Sequence, residues 1–283
     1  MNVIKTVAQL RAAVADARNR GLKIGLVPTM GALHQGHLSL VERARRECDF
    51  VIVSVFVNPT QFNNPDDLRT YPRTLDADCA LLEEAGVDIA FAPSVEEMYP
   101  EPDTRVFDLG PVAEVMEGAR RPGHFNGVCQ VVSKLFDMAD PDRAYFGEKD
   151  YQQIAVIRRM LQLLGHGPEI VSCPIRRADN GLALSSRNVR LTPEALAAAP
   201  EIHRILAESI SLRAAGKTPA QAAETVRAAI QERPDMELEY YQIVHPDTLQ
   251  EITAWPQDRE AVGCVTVWMG DVRLIDNIKY PAE

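Results

Sequence analysis

The chain has 283 residues, of which 46% are hydrophobic and 25% charged, and this profile favours a globular protein of one large or two medium domains over a disordered or fibrous chain. Its net charge of −10, with acidic residues in excess on both sides of residue 175, argues against a nucleic-acid partner, which would require a basic face. Five scattered cysteines without a C-x-x-C pair, together with the lack of a long apolar stretch or signal-peptide pattern, argue against a disulfide framework, a zinc site and membrane insertion, and predict a cytoplasmic protein.

The first part of the chain alternates short apolar runs, typical of strands, with segments that place apolar residues at helical spacing. This alternation favours a parallel sheet with crossover helices, so we predict a doubly wound α/β domain over residues 1–175. The elements predicted in chain order are a helix at 6–20, a strand at 23–27, a helix at 36–48, a strand at 50–57, a helix at 75–85, a strand at 87–92, a helix at 128–138, a strand at 143–146, a helix at 151–164 and a strand at 169–173.

The composition changes after residue 175, where Ala-rich helical stretches precede strand-like runs. Helices followed by strands predict a smaller α+β domain over residues 176–283. Its predicted elements are helices at 193–214 and 219–232 and strands at 238–244, 261–269 and 272–275.

The most informative segment is PTMGALHQGH, residues 28–37, between a predicted strand and the start of a predicted helix. Free backbone N–H groups and the helix dipole favour an anion there, and Gly31 and Gly36 allow it to approach closely. His34 and His37 are three residues apart and share a face of the first turn. A surface helix start is the alternative interpretation, and a zinc site would want a third ligand. In this setting we predict that the histidines bind phosphate.

Two further loops follow predicted strands in the same domain. NPTQF, residues 58–62, presents Gln61, whose amide suits a hydroxyl and a carboxylate, although the segment alone is only a turn. In FGEKDYQQ, Lys149 is placed to contact a phosphate, Asp150 a ribose hydroxyl and Gln153 the same cleft. The alternative for this segment is a charged helix start.

GLALSSRN, residues 181–188, lies at the predicted domain junction, where two hydroxyls and a guanidinium suit a polyphosphate unless the segment is merely a cap or loop. RRPGHF, residues 120–125, adds a basic turn that suits a carboxylate or phosphate contact, or simply a solvated surface turn. His166, His203 and His245 lie outside these loops, and we interpret them as structural or surface residues.

These segments resemble the motifs of the pantothenate synthetase family in order and spacing. The similar segments are PTMGALHQGH, FVNPTQF, YPRT, RPGHFNGV, FGEKDYQQ, GLALSSRN and MGDVRLIDN. The paired histidines also resemble the H-x-G-H signature of a wider nucleotidyltransferase superfamily, whereas FGEKDYQQ and GLALSSRN are more specific. The resemblance implies a Rossmann-like N-terminal domain, a C-terminal lid domain and a homodimer.

The resemblance also implies the chemistry: ATP activates (R)-pantoate as pantoyl adenylate with release of pyrophosphate, and β-alanine then displaces AMP, with Mg²⁺ accompanying ATP. The implied catalytic residues are His34, His37, Lys149, Ser185, Ser186 and Arg187. The implied ATP-binding residues are Met30, Gly31, Ala32, Leu33, His34, Gln35, Gly36, His37, Gly147, Glu148, Lys149, Asp150, Arg176, Leu184, Ser185, Ser186 and Arg187. Gln61 is expected to hold pantoate and β-alanine and Gln153 to hold pantoate, with Arg121 and Asn58 as further substrate contacts.

Two positions depart from the family pattern. Arg176 stands at a nucleotide-contacting position that is commonly apolar, and His245 stands where Asp is usual. Competing interpretations are an adenylyltransferase that makes a dinucleotide and a nucleotide-sensing module without catalysis. A tRNA synthetase fragment is disfavoured by the acidic charge of both predicted domains.

Overall fold

The computed structural model describes residues 1–282, which form two compact units. The first unit comprises Met1–Leu109, Arg121–Glu148 and Val156–Pro174, and the second comprises Gly110–Arg120, Lys149–Ala155 and the chain from Ile175 onward. No helix within residues 1–282 is long and apolar enough to cross a membrane.

The first unit contains a six-stranded sheet in which every neighbouring pair is parallel, in the order β1-β4-β3-β2-β5-β6. Its strands are β1 (Asn2–Ile4), β2 (Ile24–Thr29), β3 (Phe50–Val55), β4 (Ile89–Phe91), β5 (Arg143–Gly147) and β6 (Glu169–Cys173). The doubly wound α/β fold is therefore confirmed. Because the strands are parallel, the loops that follow β2, β3 and β5 all leave the same edge of the sheet.

Helices connect the strands of the first sheet. They are α1 (Val7–Asn19), α2 (Gln35–Glu47), α3 (Pro65–Thr70), α4 (Leu75–Glu84), α5 (Val95–Met98), α6 (Met116–Arg120), α7 (His124–Ala139) and α8 (Tyr151–Leu164), of which α6 and the first residues of α8 belong to the second unit. The apolar stripe of α2 packs on the sheet, where Val41 is fully buried together with Val27 and Val53. Burial of these β-branched and aliphatic side chains is the main force that holds α2 and its preceding loop in place.

The second unit contains an antiparallel sheet in the order β7-β8-β9, which confirms the smaller α+β fold. Its strands are β7 (Glu237–Val244), β8 (Ala261–Met269) and β9 (Val272–Tyr280), and its further helices are α9 (Pro193–Ala198), α10 (Pro200–Ala214) and α11 (Pro219–Gln231). The predicted helix at 193–214 is two helices, because Pro200 begins a new one.

Two short segments of the second unit come from within the sequence of the first. Glu117 fixes the segment 110–120, since its carboxylate accepts hydrogen bonds from both Nη atoms of Arg273, at 2.6 and 2.7 Å, and from Tyr240 Oη at 2.8 Å. Gln152 fixes it as well, because its Nε2 donates to the carbonyls of Val112 and Val115. The sequence-based division placed both segments in the first domain.

Candidate active site

Two histidines lie where β2 gives way to α2. His34 is the N-cap residue of α2 and His37 is its third residue, and their ring centroids are 4.1 Å apart. His34 Nδ1 accepts a hydrogen bond from Gly36 N at 3.1 Å, and His37 Nδ1 accepts one from His34 N at 3.3 Å. The two side chains therefore act as a reciprocal capping box, and the prediction that they share a face of the first turn is confirmed.

The backbone amides of this loop are already engaged within the protein. Gly31 N donates to Thr29 Oγ1, while Ala32 N and Leu33 N donate to the Asp78 carboxylate at 3.0 and 2.8 Å. The expectation that free N–H groups here would hold an anion was wrong, because side-chain acceptors within the chain occupy those amides. An anion that bound the amides of residues 31–33 would have to displace these internal acceptors.

The capping bonds determine the tautomer of both histidines. An Nδ1 atom that accepts from a backbone N–H carries no proton, so the neutral ring of His34 and that of His37 each carry the proton on Nε2. Two neighbouring Nε2–H donors are a suitable arrangement for the oxygens of a phosphate group.

Gln61 follows β3 and lies next to the histidine loop, residues 30–37, because Gln61 Nε2 is 3.4 Å from Met30 Sδ. Asn58, which is 1% exposed, orients the Gln61 amide by donating from Nδ2 to Gln61 Oε1 at 3.0 Å. Asn58 Oδ1 in turn accepts from Tyr99 Oη at 2.8 Å. Burial raises the pKa of Tyr99, which keeps this phenol protonated as a donor.

The main chain at Gln61 is fixed from the start of α7. His124 Nδ1 donates to the Gln61 carbonyl at 2.8 Å, so its Nε2 accepts from Arg121 Nη1 at 3.1 Å. Arg121 Nη2 also donates to the Gln61 carbonyl, at 3.3 Å. At Gly127 a Cβ would lie 2.4 Å from the Thr60 carbonyl, so only glycine allows α7 to approach this closely. The structure thus brings four predicted residues together, namely Met30, Asn58, Gln61 and Arg121.

In the second unit, Lys149 lies in a short 3-10 turn just before α8, and Gln153 lies in the first turn of α8. Among residues 1–282, the Lys149 ammonium has no carboxylate partner and the half-buried Gln153 amide has no hydrogen-bond partner. Asn277 Nδ2 donates to the Lys149 carbonyl at 3.2 Å and ties its backbone to β9. The two side chains can therefore bind a ligand without first breaking an internal contact.

The segment 176–188 is anchored at its base by an ion pair with β9. Arg177 donates from Nη1 and Nη2 to the Asp276 carboxylate at 2.6 and 2.9 Å, and the Asp276 side chain is only 6% exposed. A bridge between Arg177 and Ala183 then closes the segment into a hairpin-like loop. Beyond it, Ser185 Oγ accepts from Arg187 N at 3.3 Å and so shapes the turn that carries Ser186 and Arg187.

A small cavity lies behind this loop, lined among others by Lys149, Ser185, Asn188 and His203. His203 Nδ1 and Asn188 Oδ1 are buried without a hydrogen-bond partner within residues 1–282. His203 also limits Gly181, where a Cβ would meet its ring at 3.0 Å. His203 lies outside the loops, on α10, and packs against the 181–188 segment, which agrees with its interpretation as a structural residue.

The remaining predicted residues are more exposed. Gly147 and Glu148 lie at the carboxyl end of β5, Asp150 and Arg176 are exposed, and the Arg176 carbonyl accepts from Leu184 N at 3.0 Å. His245 Nδ1 accepts hydrogen bonds from the backbone N–H groups of Asp247 and Thr248 in the following turn. Residues 1–282 contain no group of three or more His, Cys, Asp or Glu side chains arranged to hold a metal ion.

Sequence reasoning overlooked several residues that shape these loops. They are Asp78, Tyr99, Glu117, Gln152, Arg177 and Asp276. Their partners are distant in sequence, so spacing carried no signal for the pairs. Three motifs offered hints, since Thr74 of YPRT lies beside Asp78, Asp276 lies within MGDVRLIDN and Gln152 lies within FGEKDYQQ.

Comparison with known proteins gives a consistent result. The model of the family described as pantoate-beta-alanine ligase matches residues 2–279. A pantothenate synthetase of Porphyromonas gingivalis is 61% identical over 280 residues, covering 99% of each chain. One from Thermus thermophilus is 50% identical over 283 residues, covering 99% of this chain and all of the relative.

Solved structures agree with the sequence relatives. A crystal structure of pantothenate synthetase from Thermus thermophilus has a TM-score of 0.93 at 49% identity, covering 99% of this chain and 100% of that one. The pantoate-beta-alanine ligase of Francisella tularensis, solved in complex with a β,γ-ATP compound and β-alanine, has a TM-score of 0.79 at 36% identity, covering 98% and 97%.

Proposed function

The chain belongs to the pantoate–β-alanine ligase family, and from this premise we propose that it joins (R)-pantoate to β-alanine through a pantoyl adenylate, with release of AMP and pyrophosphate. The observation that carries the proposal is the capped histidine pair with its two Nε2–H donors, in a loop whose first residue, Met30, contacts the Gln61 amide. Hydrogen-bond donors for a phosphate thus belong to the same unit as an amide able to hold a carboxylate or hydroxyl.

The proposed reaction has two steps. In the first, a pantoate carboxylate oxygen attacks the α-phosphorus of ATP and the bond to the bridging oxygen of pyrophosphate breaks. In the second, the β-alanine amine attacks the acyl carbon, its proton is lost and AMP leaves. Activation is needed because a carboxylate is a poor acylating agent at neutral pH, whereas its mixed anhydride with AMP has a good leaving group.

The first unit would recognise phosphate and pantoate. The Nε2–H groups of His34 and His37 would donate to phosphate oxygens as negative charge builds on the departing pyrophosphate. Gln61, with its amide oriented by Asn58, would hold pantoate and then β-alanine. Arg121 would contribute positive charge near the same loop, since it already contacts the Gln61 carbonyl.

The second unit would supply charge and hydroxyl donors. Lys149 and Arg187 would stabilise the triphosphate electrostatically, and Ser185 and Ser186 would donate hydrogen bonds to it. Gln153 would hold pantoate, which the absence of a hydrogen-bond partner for its amide within residues 1–282 supports. Further contacts to ATP would come from the positions Met30, Gly31, Ala32, Leu33, Gln35, Gly36, Gly147, Glu148, Asp150, Arg176 and Leu184.

Mg²⁺ would enter as part of the ATP substrate, bound to its phosphate oxygens. A cytoplasmic location and a homodimeric assembly complete the proposal.

The substrates are tested by supplying ATP and pantoate with and without β-alanine. We expect AMP and pantothenate only when all three are present, and ATP and pantoate alone to give a burst of pyrophosphate. Formation of a dinucleotide would point to a different adenylyltransferase. ATP binding without any pyrophosphate release would point to a sensing module.

The histidine pair is tested by His37→Ala, which should lower turnover by about 10²-fold or more because one oxyanion donor is removed. His166, an exposed residue of the same unit, provides the matched control His166→Ala, which should leave turnover unchanged. An active His37→Ala enzyme would overturn the assignment of the histidines.

A further inference from the structure

Asp78 is a buried carboxylate for which residues 1–282 provide no cationic partner. It lies in the first turn of α4 and is 1% exposed. Its oxygens accept hydrogen bonds from Ala32 N at 3.0 Å, Leu33 N at 2.8 Å and Thr74 Oγ1 at 3.2 Å. No Lys or Arg forms an ion pair with it among residues 1–282. Burying such a charge is costly, so hydrogen bonds from the loop must compensate for its desolvation.

The loop that Asp78 contacts is held in an unusual backbone conformation. Gly31 has φ +81° and Ala32 has φ +50°, two successive residues in the left-handed region. Left-handed backbone is unfavourable for alanine by roughly 1–2 kcal/mol, so surrounding contacts must stabilise Ala32 there. The amides of residues 32 and 33 converge on one carboxylate, in the manner of the backbone nests that bind anions.

The nest in the histidine loop is therefore filled by the protein's own anion. Leu33 is followed directly by His34, the N-cap residue, so the direction of this turn sets where the capped pair begins. We propose that Asp78 is a positioning residue for the histidine pair: it fixes the turn at residues 31–33 and, by occupying its amides, leaves the histidine Nε2–H groups as the phosphate donors of this loop. The inference rests on the proposed function of His34 and His37.

The test measures the two half-reactions of the holoenzyme separately. Asp78→Asn keeps the size of the side chain but places N–H donors against the loop amides, so the turn should shift and misplace the histidines. We expect pyrophosphate release from ATP and pantoate to slow about tenfold or more, because catalysis is sensitive to displacements near 1 Å. Conversion of chemically prepared pantoyl adenylate and β-alanine to pantothenate should stay within about twofold of wild type, since no pyrophosphate departs in that step.

Asp76→Asn is the matched control, because Asp76 lies on the same helix but is exposed, and both its half-reactions should match wild type. A milder variant, Thr74→Val, removes one donor to the Asp78 carboxylate and should slow only the first half-reaction, by less than Asp78→Asn. It also serves if Asp78→Asn fails to fold.

Equal slowing of both half-reactions would show a general structural role and overturn the inference, as would a first half-reaction like that of Asp76→Asn. Failure of the proposed function has a different signature, since the wild-type protein would then release no pyrophosphate from ATP and pantoate. Failure of the histidine assignment would leave His37→Ala releasing pyrophosphate at the wild-type rate. If His37→Ala is slow and neither Asp78→Asn nor Thr74→Val affects the first step, only the role of Asp78 falls.

Discussion

The histidine loop, residues 30–37, and the serine loop, residues 181–188, are both predicted phosphate contacts, but they are stabilised differently. The histidine loop is held by backbone amides that donate to acceptors inside the protein, with the Asp78 carboxylate at its centre. The serine loop is held at its base by a charged pair of side chains, Arg177 with Asp276. Beyond that pair it is shaped by short-range turn contacts such as Asn188 N to the Ser185 carbonyl.

Under the proposed function, the two loops would present donors to a polyanion in two different ways. In the histidine loop, backbone N–H groups already donate to acceptors within the protein. The groups that would bind the polyanion are therefore the histidine side chains, whose tautomers are fixed by the capping hydrogen bonds. In the serine loop, the side chains at the base bind each other as an ion pair. The groups that would bind the polyanion are the hydroxyls of Ser185 and Ser186 and the guanidinium of Arg187, which lie beyond that pair. The histidine loop should therefore be sensitive to changes of backbone conformation, and the serine loop to changes of side-chain charge.

The largest effect is expected from breaking the ion pair under the serine loop. Asp276→Asn leaves the Arg177 guanidinium, whose side chain is 17% exposed, without its compensating charge. Removing one partner of a buried pair should lower the free energy of unfolding of the second unit by about 3 kcal/mol. Urea unfolding followed by tryptophan fluorescence measures this, because both tryptophans, Trp255 and Trp268, lie in the second unit.

Asp271→Asn provides the control for that experiment, since Asp271 is exposed in the turn between β8 and β9. It should change the unfolding free energy by less than about 0.5 kcal/mol. If the two variants unfolded at the same urea concentration, the base of the serine loop would not depend on charge and the contrast between the loops would fail.

A smaller effect is expected from Gly31→Ala in the histidine loop. The added Cβ would have positive φ and lie 3.0 Å from both Asp78 Oδ2 and Val55 Cγ1. Conformational strain and crowding together should cost about 2 kcal/mol. Hydrogen–deuterium exchange of β2 and α2 reports it as faster exchange.

Gly165→Ala separates strain from crowding, because Gly165 also has positive φ but a Cβ there would meet nothing within 4 Å. We expect calorimetry to show a loss of about 1 kcal/mol in the free energy of unfolding, which is the cost of backbone strain alone. Equal costs for the two variants would show that the histidine loop is not tightly packed on Asp78.

The smallest effect concerns pH at the serine loop. Burial lowers the pKa of His203 below its ordinary value of 6.5, the Arg177 charge lowers it further and the Asp276 charge opposes both. The unfolded chain therefore binds a proton that the folded chain does not, and unfolding free energy should fall as pH drops through 6.5 towards the folded pKa. The loss attributable to His203 should be the smallest of the effects named here, because the Asp276 charge opposes the shift in pKa.

His203→Gln should flatten that slope between pH 7 and 5, measured by urea unfolding with tryptophan fluorescence as above. His166→Gln, which changes an exposed histidine, should leave the slope as it is in the wild type. Identical slopes for His203→Gln and wild type would show that His203 does not titrate differently in the folded state.

Periodicity predicted most of the regular structure. The segments at 151–164 and 169–173 match α8 and β6 in both bounds, because long stretches of alternating or helical apolar residues leave little choice. The edge strand β1, with three residues, was missed, since so short a run carries no period. The strand predicted at 272–275 continues to Tyr280 because pairing with β8 carries it through polar positions.

The candidate site was predicted less completely than the fold. Motifs located the histidines, Gln61 and Lys149, since each follows a strand or begins a helix. They could not reveal that Asp78 occupies the loop amides or that His203 lies against Gly181, because both contacts join residues that only tertiary packing brings together. The error about free amides came from treating a loop as if its surroundings were solvent.

Glu117 and Gln152 hold two segments from the N-terminal half of the sequence within the second unit. This arrangement limits how the chain can be divided into separately expressed fragments. A fragment beginning at residue 176 would lack Glu117, leaving Arg273 with Glu239 as its remaining acidic partner, and would lack the segment that Gln152 fastens. Expression of that fragment alone should yield a poorly folded product. Exchanging the second unit between two relatives would require the transfer of three separate stretches of chain. A chimera with a single junction would therefore combine parts of the second unit from different proteins.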